Sequence, residues 1–281
     1  MSIITLFEIM KKLLKVTLLI LLTLIAWLLY LSFKTPSNNA NWQTQYQILP
    51  TVELNGDNIS IKNVRDFRYN NDGSITHTNY IDRDYQLSQF KRAWYGISHF
   101  GDNNLAHVFI SFEFENKKYL VVSIEARLEQ EQTYGPIKGV FRAFTKTVVL
   151  GTEQDVIGLR SHIRKEKVFL YPLDVPELYT KPLLLNFLRE AQVLTRKPTF
   201  YNTLIDNCMT GLLAQSDQFR HVSSWLDSRI ILPGGSDEIA YELGFINTTQ
   251  PLEKLRQLSL IDPNESGIED EAFSDKIRNV H

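Results

Sequence analysis

Apolar and polar positions follow different rhythms along the chain, and each rhythm predicts a different element. After Lys11, Lys12 and Lys15, the stretch VTLLILLTLIAWLLYLSF from Val16 to Phe33 runs without a charge. At about 1.5 Å per residue it covers most of a hydrocarbon core roughly 30 Å thick, so it predicts a transmembrane helix. Trp27, Tyr30 and Phe33 stand where a cleaved leader would carry small residues, so an uncleaved signal anchor over 16–33 is expected. Three lysines precede the run and Lys34 alone follows closely. The positive-inside rule then places residues 1–15 in the cytoplasm and the rest of the chain across the membrane, in the periplasm if the cell is a Gram-negative bacterium.

Residues 34–50, beginning KTPSNNANWQTQ, are polar and read as a linker. SIKNVRDFRYNNDGSITHTNYIDRDYQLSQF alternates and then breaks at Asn70-Asn71-Asp72-Gly73, which predicts strands around a turn. AHVFISFEFENKKYLVVSIEARLE holds two β-branched and aromatic runs separated by Glu115, Asn116 and Lys117, a hairpin pattern. In VPELYTKPLLLNFLREAQVLTRK, Leu184, Leu188, Ala191 and Leu194 recur at intervals of three and four, an amphipathic helix that Pro198 ends. Residues 261–281 are acidic and sparsely apolar, so a mobile tail is expected there. The folded domain is expected over 51–260, with strands first and helices after, hence an α+β fold with a central antiparallel sheet and packed helices.

Composition narrows the function. Hydrophobic residues make up 43% and charged residues 22%, enough to build a folded core. A formal charge of −2, with both signs interspersed, gives no footprint for nucleic acid. The six histidines show no metal-binding spacing with each other or with a cysteine pair, so no metal or cofactor is expected. LPGGSDEIAYELG lacks both the G-x-S-x-G elbow and the Walker lysine, and predicts a turn before a helix with Ser236 as its cap.

The single cysteine, Cys208, lies in FYNTLIDNCMTGLL. Asp206 or Asn207 suits a helix N-cap, and Met209, Leu212 and Leu213 begin an apolar face. The sulfur is therefore expected at a helix start, where the dipole and free N–H groups lower a thiol pKa; Asn207 and Met209 are the cap and oxyanion candidates. If Phe114 pairs with Lys118, partner numbers sum to 232 and His107 falls opposite Glu125 on one face of the hairpin. A thiol nucleophile, an imidazole base and a carboxylate that orients it are the parts of a thiol acyl-transfer site. Taken singly, each residue also suits a structural role: a buried cysteine, a core histidine, a glutamate paired at a sheet surface.

The blocks NVRDFRY, DRDYQL, HVFISFEF, VVSIEARLE, VIGLRSHIRKEKVFLYPL, FYNTLIDNC and LPGGSDEIAYELGFI together resemble the Lnb amino-terminal periplasmic domain family of bacterial envelope proteins. The resemblance implies a circularly permuted papain-like fold, shared with NlpC-like proteins, in which histidine precedes cysteine in the chain. It carries the family's histidine onto His107, its acidic position onto Glu125 and its cysteine onto Cys208. The family's namesake moves a fatty acyl group onto the amino-terminal cysteine of lipoproteins through a thioester. The resemblance thus implies a membrane-anchored acyltransferase at the bacterial inner membrane, with the lipid bilayer, a phospholipid acyl donor and a lipoprotein acceptor as partners. A thiol hydrolase of cell-wall peptide or lipid ester, and a non-catalytic envelope binding module, remain the alternatives.

Overall fold

A computed structural model describes residues 3–101, 105–216, 227–265 and 267–278. It divides into two compact units, residues 1–37 and 38–281. The first holds helix α1, Ile3–Phe33, which starts well before the uncharged run and takes in much of the stretch expected as a cytoplasmic terminus. Its segment Phe7–Phe33 is long and apolar enough to cross a membrane.

The second unit carries strands β1 (Thr51–Asn55), β2 (Asn58–Arg65), β3 (Arg68–Tyr69), β4 (Ile75–His77), β5 (Tyr80–Gln86), β6 (Phe90–His99), β7 (Ala106–Phe114), β8 (Lys118–Arg127), β9 (Thr145–Gly151) and β10 (Lys167–Pro172). Its helices are α2 (Pro136–Val140), α3 (Glu153–Gly158), α4 (Glu177–Arg196), α5 (Cys208–Ala214), α6 (Ser228–Ile231), α7 (Ser236–Glu242), α8 (Leu252–Ser259) and α9 (Phe273–Lys276). The main sheet runs β1-β2-β9-β8-β7-β6-β10, with β5 also on β2. Among the described residues every pairing in it is antiparallel except the single β2–β9 bridge between Arg65 and Gly151. The unit is a mixed α+β fold.

Period-two alternation sorts β7 and β8 onto two cores. Val108, Ile110, Phe112 and Phe114, with Leu120, Val122 and Ile124, face a large core closed by α4, α5, α7 and α8. Phe109 and Val121 face a smaller core closed by α3 and α9. The hairpin register is the expected one, with Phe114 opposite Lys118 and Ile110 opposite Val122. There the β7–β8 ladder ends, although both strands continue. β7 stays on β6 as far as Ala106, and β8 stays on β9 as far as Arg127. The hairpin's open end therefore forks, because each strand follows a different neighbour.

Two boundaries differ from expectation. Residues 38–50 are packed onto the domain rather than forming a linker. Trp42 is buried, Gln43 donates its N–H to Leu128 O, and Arg127 donates to Tyr46 O, Gln47 O and Asn38 Oδ1. The stretch expected as a mobile tail is likewise docked over its described residues 261–265 and 267–278: Ile261, Phe273 and Ile277 enter the smaller core. Arg278 forms a buried ion pair with Glu153, whose carboxylate also accepts from Ser111 Oγ. A few well-placed apolar side chains suffice to dock a segment whose average composition is charged. Residues 279–281 lie outside the described part.

Candidate functional site

The fork places chemistry from both faces of the sheet around one cavity of about 530 Å³, whose lining includes Tyr46, His107, Glu125, Arg160, Tyr201 and Cys208. Cys208 opens α5, and Asn207 caps it. Asn207 Oδ1 accepts from the N–H groups of Met209 and Thr210, each at 2.8 Å, while Thr210 Oγ1 accepts from Asn207 N–H at 2.8 Å. This reciprocal capping box fixes where the sulfur stands. α5 lies close to the sheet because residue 211 is glycine: a Cβ there would come within 2.6 Å of Ile124 Cδ1.

Burial pushes the Cys208 thiol up to about 11, against the opposing pull of backbone N–H groups of Val108, Met209 and Cys208 itself. The expectation of a lowered thiol pKa is corrected accordingly: desolvation of the thiolate outweighs those N–H groups, and α5 has only 7 residues to supply a dipole. Asn207 is the cap as expected, and the Met209 N–H is shared, donating to Asn207 Oδ1 at 2.8 Å while it also pulls on the Cys208 sulfur. The Val108 N–H, just past the last β7–β8 rung, is the foremost of the backbone groups that favour the thiolate.

On the other face, Glu125 is held by three donors. Oε1 accepts from Ser123 Oγ at 2.9 Å and from Arg160 at 3.0 Å, and Oε2 accepts from Tyr46 Oη at 3.0 Å. Burial alone would raise this carboxyl, but the Arg160 and Arg65 guanidinium groups and the Ser123 hydrogen bond outweigh it and hold Glu125 ionised. His107 Nε2 stands 3.8 Å from Glu125 Oε1 and 2.6 Å from Ser123 Oγ, so Ser123 joins imidazole to carboxylate. The proton count fixes the tautomer. A carboxylate only accepts and Ser123 gives its one proton to it, so Ser123 must accept from His107 Nε2–H. That leaves Nδ1 as the basic nitrogen. Burial, reinforced by Arg160, lowers the His107 pKa to about 3, although the neighbouring Glu125 pulls the other way.

The three expected residues therefore line one cavity. Glu125 reaches His107 through a serine rather than directly, and no hydrogen bond links His107 to Cys208 among the described residues. Sequence reasoning missed Ser123, Arg160 and Tyr46. The period-two rule points to Ser123 once Glu125 is chosen, since the two share a face of β8. Arg160 comes from a π-helical turn, Leu159–Ile163, and donates its other branch to Val156 O at 2.8 Å. Tyr46 comes from the segment taken for a linker. Nothing local in either stretch announces these contacts. Among the described residues no cluster of three or more His, Cys, Asp or Glu could hold a metal ion.

The profile of the Lnb N-terminal periplasmic domain matches residues 76–233, over half of the chain, and spans His107, Ser123, Glu125, Arg160 and Cys208. The chain belongs to this family. Neither a curated protein nor a solved structure matches it. Membership makes this an envelope-associated periplasmic protein, and Phe7–Phe33 fits a single-pass membrane protein. Tyr46 and the docked carboxy-terminal segment fall outside the matched span, so in this Lnb-family chain part of the cavity wall comes from residues before it.

Proposed function

We propose that this protein is a thiol acyltransferase acting on lipid acyl groups, held at the inner membrane with its amino terminus in the cytoplasm. The observation that carries the reading is the Glu125–Ser123–His107 relay, which leaves Nδ1 as a proton acceptor on a cavity that Cys208 also lines. A helix-borne cysteine facing a strand-borne histidine fits the circularly permuted papain-like arrangement that the family resemblance implies.

In the resting site both thiol and imidazole are neutral, so the chemistry is general-base catalysis rather than attack by a preformed thiolate. His107 Nδ1 takes the thiol proton as Cys208 Sγ bonds to an ester carbonyl carbon. Arg160-braced Glu125, acting through Ser123, steadies the charge that forms on the ring. The imidazolium then returns the proton to the departing alcohol, leaving a thioester on Cys208. An amine, such as the amino terminus of a lipoprotein, attacks this thioester and restores the thiol as an amide forms.

The test is intact-mass spectrometry of the full chain in detergent after incubation with a phospholipid. An added acyl mass, removed by neutral hydroxylamine and absent from Cys208→Ala, is expected; its absence from the wild-type chain refutes the reading. Adding an amino-terminal lipopeptide should transfer the acyl group to the amine. Release as free fatty acid alone would mark a hydrolase.

A further inference from the structure

Two segments meet at the mouth of the cavity, which Tyr134 and Tyr201 help to line. Helix α2 and the turn Asn202–Asp206 are tied by Thr203 Oγ1 donating to Pro136 O at 2.7 Å and by Asn202 Nδ2 donating to Val140 O at 3.3 Å. The approach is close, since a Cβ on Gly139 would lie 2.2 Å from Thr203 Oγ1. Asn202 Oδ1 also accepts from the N–H groups of Leu204 and Ile205, which fixes the backbone of the turn. These elements form one braced lip.

The lip leaves large apolar side chains in water. Ile137 is 75% exposed, Ile205 71%, Leu204 43% and Tyr134 41%. From Gln132 to Lys146 there is no Asp or Glu, while Lys138 and Arg142 are exposed, and the exposed Glu129 and Glu131 lie just before this stretch. The one carboxylate of the turn, Asp206, lies 2.7 Å from Lys146. Apolar side chains together with an aromatic and exposed cations form the pattern of an interfacial surface, which buries the first group among acyl chains and sets the last among anionic headgroups. A protein partner would also cover isoleucines, but the exposed cations Lys138 and Arg142, one and five positions from Ile137, favour an anionic lipid surface.

We propose that this lip seats the cavity mouth on an anionic lipid surface, with Ile137 and Ile205 inserted and Lys138 and Arg142 at headgroup level. The inference rests on the surface alone and holds whichever reaction the cavity supports.

The test uses the full chain with Cys208→Ser, carrying a single new cysteine at Ile137→Cys, Ile205→Cys or, as a control on the β1–β2 turn, Asn55→Cys. Each is labelled with a polarity-sensitive fluorophore and reconstituted into phosphatidylcholine vesicles with and without phosphatidylglycerol. Labels at 137 and 205 should shift to the blue and be quenched severalfold more than the label at 55 by lipids brominated near the headgroup. Including phosphatidylglycerol should strengthen the quenching, and Lys138→Glu with Arg142→Glu should weaken it. Equal quenching at all three positions overturns the proposal. So does a blue shift that follows protein concentration without quenching, which would mark a protein contact.

Discussion

At the scale of single residues, the site is organised by which side of each proton balance prevails. Glu125 stays charged because three donors and nearby guanidinium groups outweigh its desolvation, whereas His107 and Cys208 stay neutral because burial prevails. The sign for stability follows. An imidazole whose folded pKa lies below its unfolded value, about 6.5, favours folding above that value and loses this contribution as pH falls toward about 3. Stability of the full chain in detergent should therefore decline between about pH 6.5 and 4.5, the window before glutamates in the unfolded chain begin to titrate. His107→Gln should flatten that decline in urea titrations. An unchanged pH slope would show that the ring titrates freely and is not desolvated.

At the scale of elements, the decisive contact is α5 on β8. Exchanging glycine for alanine inside an unobstructed helix gains about 1 kcal/mol. At residue 211 the new methyl group would come within 2.6 Å of Ile124 Cδ1, and overpacking of that kind costs about 1–3 kcal/mol. Gly211→Ala should therefore be net destabilising in chemical denaturation, and Ile124→Val, which removes the offending methyl, should recover part of the loss. Simple addition of two losses would refute the clash. Much of this layer was legible in the sequence: alternation gave the β7–β8 hairpin and its register, and the spacing of Leu184, Leu188, Ala191 and Leu194 gave α4. The fork was not legible, because it is dictated by pairing with β6 and β9, strands distant from each other in the chain. Extending the register past its last rung placed His107 directly against Glu125, where the splayed strands admit Ser123 between them.

At the scale of the molecule, the two ends of the folded unit brace the side of the sheet that bears the relay. Residues 38–50 bring Tyr46 to Glu125, and the carboxy-terminal segment brings Arg278 to Glu153, which accepts from Ser111 on the same face of β7 as His107. Both were misread from composition, since charge dominates 261–281 while Ile261, Phe273 and Ile277 do the packing. Phe273 is fully buried, and truncating such a ring costs about 3–5 kcal/mol. Phe273→Ala should lower the denaturation midpoint sharply, while Glu271→Ala, two positions away and exposed, should leave it nearly unchanged. Equal effects would mean the segment is only loosely attached.

The parting of β7 from β8 also bears on how a nucleophile knockout should be built. The β7–β8 ladder stops at Ile110 and Val122, and just beyond it the Val108 amide favours charge on the buried Cys208 sulfur. Alanine at 208 empties part of a buried position in the large core as well as removing the thiol, so it disturbs the packing along with the chemistry. Serine keeps an oxygen near the same spot, and is the cleaner replacement for separating a lost reaction from a loosened sheet.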